Sequence, residues 1–215
     1  MKKLVFVSLV ITMLFASCAK EQLSEIEVTN ESGVVIERYS MNLETKQKQG
    51  LHQAFYNSSK LSCESNYVND TLDGKRTWYY EDGAIEIEEH FKMGAYDGVI
   101  KTYFEDGQLK QEGIYNNDQA TGVWKTYYAS GQLKEEVAFE HSLENGPFVE
   151  YHETGALKSK GQYKDGPKEE GTLELYDESG VLIKKMECRS GVCLTSWTKD
   201  GGTQIIDETL FEISK

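Results

Sequence analysis

A 24-residue unit repeated through the middle of the chain is the feature that most limits what this sequence can fold into. Gly74 opens the segment Gly-Lys-Arg-Thr-Trp-Tyr-Tyr-Glu-Asp-Gly-Ala-Ile, and a related segment begins 24 residues later, at Gly98. Further copies open at Gly50, Gly122, Gly146 and Gly171, and the copy at Gly50 is degenerate. A fixed period of this length is typical of proteins built from stacked supersecondary units, each of which contacts its neighbours.

Several columns of the repeat keep one residue type in five or six copies. A glycine stands nine places after the opening glycine, and a leucine or isoleucine stands eleven places after it. An aromatic residue recurs seventeen places after it. The fifth place is aromatic in every copy, and its members are Phe55, Tyr79, Tyr103, Tyr127, Tyr151 and Tyr176. This regularity favours one local structure for all copies.

Each copy predicts a β-hairpin. Aromatic and β-branched residues, as in the segment 100–104, favour a strand, and Asp106-Gly107 can take the positive φ values of a tight turn. A second strand follows over residues 108–115, and a polar link leads to the next copy. Apolar residues alternate with period two, and no segment has helical spacing. The sequence therefore predicts an all-β fold, an elongated antiparallel β-meander of tandem hairpins in a single twisted sheet.

The repeat resembles the MORN-repeat variant family in its order of glycine, apolar residue, Tyr-Tyr, x-x-Gly and x-Leu. The resemblance covers roughly residues 50–188. Bacterial members of that family are often labelled antitoxins, so the resemblance implies a module that binds another protein. It names no partner, because function belongs to sites placed on a fold rather than to the fold itself.

The amino terminus predicts export and lipidation. Two lysines precede an apolar run over residues 4–15, which is shorter than the roughly twenty residues that span a bilayer, as in a signal peptide. The run ends in Leu14-Phe15-Ala16-Ser17-Cys18, which resembles a bacterial lipobox, with phenylalanine where leucine is usual. In this interpretation Cys18 becomes the acylated (palmitate-bearing) first residue of the mature chain. The alternative is ordinary cleavage before Cys18, which leaves an unmodified thiol.

The acidic balance of the chain limits its partners. The formal net charge is −13, and loss of the leader, which carries two lysines and no acids, makes it more negative. Such a surface repels nucleic acid and anionic headgroups. We therefore expect no nucleic acid, membrane contact through the lipid on Cys18, and a protein partner; a cationic protein, a metal ion and a neutral glycan stay open. Ala19, next after Cys18, implies by resemblance to Gram-negative lipoproteins an outer-membrane location, on the periplasmic or surface side.

These features divide the chain into five segments. They are a signal peptide (1–17), the lipidated cysteine and a tether (18–24), a degenerate amino-terminal capping repeat (25–49), the MORN-like hairpins (50–190) and a carboxy-terminal capping hairpin (191–215). Cys188 and Cys193 could close a small disulfide or remain two thiols in neighbouring strands. Cys63 is then the odd thiol.

The sequence contains no recognisable catalytic motif. His52, His90, His141 and His152 are scattered and show no zinc spacing, and no nucleophile or phosphate-binding motif is present. His152 stands where other copies have an aromatic residue. Asn and Asp residues crowd over 66–73 without the spacing of a calcium loop, so turn composition explains them. We therefore expect neither enzyme activity nor a cofactor or resident metal.

The aromatic fifth place is the candidate functional surface. It is either the packing core of the sheet or a ladder that docks a partner. A glutamate column (Glu64, Glu88, Glu112 and Glu136) is expected to pair with lysines such as Lys110 and Lys134. Three functions remain open, namely a lipid-anchored interaction scaffold, an antitoxin or immunity protein that binds a protein toxin, and a glycan-binding or cell-wall-binding aromatic module.

Overall fold

The computed structural model describes residues 6–10 and 22–212, so the predicted lipidation site at Cys18 lies outside the described residues. Two compact units divide the chain, residues 1–107 and residues 108–215. Both units are antiparallel meanders of hairpins, which confirms the predicted all-β fold class. Within the described residues the remaining regular element is one 3₁₀ turn near the carboxy terminus.

Within the described residues the first unit contains nine antiparallel strands, of which the first eight pair in chain order and the ninth pairs with the seventh. The predicted capping repeat at 25–49 contains most of the second strand, the third strand and the start of the fourth. The strands are β1 (Phe6–Val10), β2 (Leu23–Thr29), β3 (Val35–Asn42), β4 (Lys48–Phe55), β5 (Leu61–Val68), β6 (Thr71–Tyr79), β7 (Ile85–Lys92), β8 (Ala95–Tyr96) and β9 (Gly98–Tyr103).

The second unit continues the same pattern with antiparallel neighbours throughout. The predicted capping hairpin at 191–215 contains its last two strands and the 3₁₀ turn Glu208–Phe211. The strands are β10 (Leu109–Asn116), β11 (Gln119–Tyr127), β12 (Leu133–Glu140), β13 (Leu143–Tyr151), β14 (Leu157–Tyr163), β15 (Gly171–Tyr176), β16 (Leu182–Arg189), β17 (Val192–Thr198) and β18 (Gly202–Thr203).

The turn inside each copy has positive φ at the ninth place and not at the residue before it. In the copy that opens at Gly74, Gly83 has φ 99° whereas Asp82 stays at negative φ. The Gly83 amide donates to the Tyr80 carbonyl at 2.9 Å, and the Tyr80 amide donates to the Ala84 carbonyl at 2.8 Å. This is a three-residue hairpin loop closed by a left-handed residue. The loop explains why the glycine column is kept while the residue before it varies.

The links before Gly74, Gly98, Gly122 and Gly146 are two-residue turns with both residues at positive φ. Asn69 and Asp70 have φ 50° and 63°, and Asn117 and Asp118 have φ 48° and 64°. Asparagine and aspartate tolerate this conformation better than other side chains, which accounts for the Asn and Asp residues before Gly74. In the described part of the chain no group of three or more His, Cys, Asp or Glu residues is placed to hold a metal ion.

Hydrogen bonds from the sixth place of four copies hold each of these copies in register with the next. A tyrosine hydroxyl here reaches past one strand and donates to the backbone carbonyl of the fifth-place residue in the next copy. The bonds are Tyr56 to Tyr79 (2.6 Å), Tyr80 to Tyr103 (2.8 Å) and Tyr128 to Tyr151 (2.9 Å). His152 occupies the same place, with Nε2 3.2 Å from the Tyr176 carbonyl oxygen. The side chain of His152 therefore has a structural partner.

In the described residues each unit is a single layer of strands. Each strand packs mainly against the strands to which it is hydrogen-bonded, and no large side chain in this part of the chain is completely buried. Burial is instead spread over small clusters on the faces of each meander, such as those around Phe91 and Phe148. Stability must therefore come from strand pairing, side-chain pairs on each face and the bonds between copies.

Removing one hydroxyl of the sixth place should weaken the first unit. Tyr80→Phe leaves the Tyr103 carbonyl without this donor, and we expect a loss of about 1 kcal/mol in the free energy of unfolding, measured with urea. Tyr151→Phe is the matched control, because its hydroxyl donates to no group in the described residues. Equal losses in the two variants would contradict a register role for Tyr80.

Candidate functional site

The six residues of the predicted aromatic ladder each end a strand. Phe55, Tyr79 and Tyr103 end β4, β6 and β9 in the first unit. Tyr127, Tyr151 and Tyr176 end β11, β13 and β15 in the second unit. All six side chains are half-buried. We call the face that they share within each unit the ladder face.

Three ladder hydroxyls are bonded to glutamates. Tyr103 donates to Glu88 at 2.8 Å, Tyr127 to Glu112 at 3.0 Å and Tyr176 to Glu174 at 2.7 Å. Burial raises the pKa of Tyr127 to about 12, and the hydrogen bond to Glu112 acts in the same direction. Because these hydroxyls are already hydrogen-bonded within the sheet, they contribute to packing and register and are not free to bond a ligand.

Lysines neutralise two of the glutamates on the ladder face. Glu88 is bonded to Lys75, and Glu136 lies 3.2 Å from the Nζ of Lys125. The partner lysines thus lie on the first strand of the same copy. Lys134, one of the expected partners, instead places its Nζ 5.8 Å from the centre of the Tyr128 ring. The ladder face is therefore largely self-paired.

The opposite face of the first unit contains a buried ion pair that the sequence did not reveal. Arg76 Nε lies 2.6 Å from a carboxylate oxygen of Glu89, which is only 5% exposed. Trp78 Nε1 and the Tyr96 hydroxyl also donate to Glu89, at 3.0 and 2.9 Å. The guanidinium of Arg76 stacks 4.5 Å from the centre of the Phe91 ring. Burial alone would raise the pKa of Glu89, but the bonds and charge of Arg76, with the donors Tyr96 and Trp78, hold it below its usual value.

The cysteines of the described region occupy two unrelated places. Cys188 and Cys193 face each other across the β16–β17 turn and form a disulfide, the first of the two alternatives that the sequence left open. Cys63 is unbonded and buried beside Arg76, and burial raises the pKa of its thiol to about 11. A protonated, buried thiol is a poor nucleophile.

The four histidines are not brought together. His52 lies 3.4 Å from the Ser65 hydroxyl, His90 lies 2.8 Å from the Val99 carbonyl, and His141 lies 2.8 Å from the Gln119 side chain. His152 belongs to the bonds between copies described above. Each histidine ring has its own local partner, and the four histidines belong to four different copies.

The face opposite the ladder in the second unit carries a small open pocket of about 140 Å³. Trp124, Phe139 and Tyr163 supply its aromatic wall, and Glu135 and Glu144 supply carboxylates. Trp124 and Phe139 lie 5.6 Å apart between ring centres. We call this site the β11–β14 pocket. It is the candidate functional site of the chain.

A glycine on the neighbouring strand makes room for the indole of the β11–β14 pocket. A Cβ atom on Gly113 would lie 2.2 Å from the ring of Trp124, so no larger residue fits without displacing the indole. Gly161 plays the same part for Phe148, where a Cβ atom would lie 2.9 Å from the ring. The aromatic residue two places after the opening glycine thus depends on a small residue opposite it.

Like charges meet in the β11–β14 pocket. The register of β12 and β13 places Glu135 directly opposite Glu150. Burial and then the charge of Glu150 raise the pKa of Glu135. Burial, followed by the charge of Glu135 and of other nearby carboxylates, raises the pKa of Tyr163 to about 12. Within the described residues neither Glu135 nor Glu144 has a cationic partner at ion-pair distance. The charges of Lys134 and Lys158 act on Glu135 from further away and offset part of the rise in its pKa.

Two polar atoms in the wall of the β11–β14 pocket lack partners. Trp124 Nε1 and Thr126 Oγ1 are buried and make no hydrogen bond within the described chain. The pocket therefore combines like charges with two buried polar atoms that the described chain leaves unpaired. Such features concentrate at functional sites.

Comparison with known protein families finds a repeat in the same region of the chain. Four segments of the chain match the MORN repeat variant. They are residues 72–93, 96–117, 120–141 and 144–165. MORN repeats generally take part in protein or membrane interaction. No curated protein matches the chain.

Breaking the buried ion pair should destabilise the first unit. Glu89→Ala leaves Arg76 buried without its partner, and we expect a loss of about 3 kcal/mol in the free energy of unfolding, measured with urea. Glu88→Ala, on the more exposed ladder face, should cost about 1 kcal/mol or less. A smaller loss for Glu89→Ala than for Glu88→Ala would contradict this assignment.

Glu174 should make the second unit sensitive to acid. Bonds from Lys185, Lys160 and Tyr176 lower its pKa from 4.5 to about 2. A lowered pKa gives stability that is present above pH 4.5 and is lost as the pH falls towards 2. Glu174→Gln should therefore reduce the free energy of unfolding more at pH 7 than at pH 2.5. Glu178→Gln, in an exposed turn, is the control, and an equal effect of Glu174→Gln at both pH values would refute the prediction.

Proposed function

We propose that this protein is a non-enzymatic, lipid-anchored envelope protein whose MORN-like hairpins form a scaffold for protein–protein interaction. The observation that carries the proposal is the single layer of strands in each unit, with no completely buried large side chain in the described region. Enzymes usually act in concave sites that exclude water, whereas repeat proteins bind partners over open surfaces. The match to the MORN repeat variant supports the second possibility.

The proposed attachment to the envelope rests on the leader sequence. Acyl chains on Cys18 would hold the mature chain on the outer membrane, on its periplasmic or surface side. In the described part of the chain, no helix has the length and apolar character needed to cross a bilayer. The net charge of −13 favours a partner with a basic surface.

Affinity purification of the mature protein from envelopes, followed by mass spectrometry, tests the proposed scaffold. We expect one protein to be recovered in stoichiometric amount and to be released by salt, because the chain is acidic. Recovery of a toxin would make the scaffold an immunity protein, and recovery of polysaccharide alone would favour the glycan-binding alternative. Recovery of lipid alone in every growth condition would overturn the proposal.

Substitution of Cys18 tests the proposed anchor. Cys18→Ser should abolish incorporation of radiolabelled palmitate and move the protein from the membrane pellet to the soluble fraction after cell lysis. Cys63→Ser is the matched control, because Cys63 is buried and unbonded in the first unit, and it should keep the label. Retention of palmitate by Cys18→Ser would contradict acylation at this residue.

A further inference from the structure

We infer that the β11–β14 pocket binds a basic side chain, lysine or arginine, presented by the partner protein, an inference that rests on the proposed scaffold function. The pocket lies within the second unit, where side chains of β11, β12, β13 and β14 and Gln111 of β10 line it. Its volume of about 140 Å³ is smaller than the roughly 300–1,000 Å³ of pockets that hold drug-sized ligands. It therefore suits the end of one side chain.

The carboxylates of the β11–β14 pocket favour a cationic ligand. Glu135 and Glu150 stand directly opposite each other on adjacent strands, where like charges destabilise a sheet. Glu150 has Lys158 at 3.5 Å and accepts a hydrogen bond from Ser159 at 2.5 Å, whereas Glu135 and Glu144 have no such partner in the described residues. A cation that enters beside Glu135 would relieve the repulsion.

The aromatic wall of the β11–β14 pocket favours an organic cation over a metal ion. Trp124, Phe139 and Tyr163 supply aromatic rings, whose faces attract ammonium and guanidinium groups. A metal ion would instead need several oxygen or nitrogen ligands, and the described residues contain no such group. An anion is disfavoured by the surrounding carboxylates.

In the first unit a cation of the chain itself lies on the corresponding face, beside an aromatic ring and a carboxylate. On the corresponding face, Arg76 stands two places after its opening glycine, and its guanidinium lies 4.5 Å from the Phe91 ring and is bonded to Glu89. In the copy that opens at Gly122, Trp124 and Val137 take the places of Arg76 and Glu89, and Phe139 takes the place of Phe91. The carboxylates on this face of the second unit are instead Glu135 and Glu144, and in our proposal the partner supplies the cation that Arg76 supplies in the first unit.

Titration with short peptides tests the inference. The probes are acetyl-Gly-Gly-Lys-Gly-Gly-amide, its arginine analogue and its glutamine analogue, and binding is followed by the NMR signal of the Trp124 indole N–H. We expect both basic peptides to shift this signal and the glutamine peptide to leave it in place. Equal shifts with all three peptides, or no shift with any, would overturn the inference.

Variants separate binding from folding. Glu135→Gln should weaken binding of the lysine peptide about tenfold, because one charge-assisted contact is lost. The same variant should raise the Tm of the free protein by about 1–2 °C, because the repulsion with Glu150 is removed. Glu112→Gln, on the ladder face, is the matched control and should bind the lysine peptide normally. Unchanged binding by Glu135→Gln would overturn the inference.

The two proposals fail in distinguishable ways. If a partner co-purifies equally well with the wild-type chain and with Glu135→Gln, the scaffold function stands and the role of the pocket fails. If no partner co-purifies but the lysine peptide binds and Glu135→Gln weakens that binding, the cation chemistry of the pocket stands and the scaffold function fails.

Discussion

Hydrogen bonding between successive copies is the constraint on which the rest of this structure depends. A single layer of strands has no interior to fix one copy against the next, and a slip of one residue in any strand would turn its whole side-chain pattern to the wrong face. The sixth-place tyrosines, with His152 in one copy, prevent such a slip by reaching the backbone of the following copy. The aromatic side chains of the repeat are thus first a means of holding register.

Once register is fixed, the two faces of each unit can differ in chemistry. The ladder face neutralises its own charges through lysine–glutamate and tyrosine–glutamate contacts. On the opposite face of the first unit, Arg76 and Glu89 form an ion pair within the chain. On the opposite face of the second unit, burial and the charge of Glu150 raise the pKa of Glu135. Unsatisfied charge on an otherwise self-paired surface is where a partner gains most from binding, and for this reason we propose that the partner contacts this face of the second unit.

The sequence predicts the hairpins because each column has a local cause that recurs in every copy. The glycine nine places after the opening glycine is needed for positive φ, as at Gly83, and the link turns need residues such as Asn69 and Asp70. The pocket could not be predicted in this way. Whether Glu135 faces Glu150 depends on strand register, and bulges within these hairpins shift that register in ways the residue spacing does not reveal.

The most direct test of the account is a crystal structure of the protein with the lysine peptide. The account predicts the lysine ammonium within ion-pair distance of Glu135 and against the rings of Trp124 and Phe139, with the ladder face unoccupied. Peptide bound along Tyr127 and Tyr151 instead, or an empty β11–β14 pocket at saturating peptide, would contradict it.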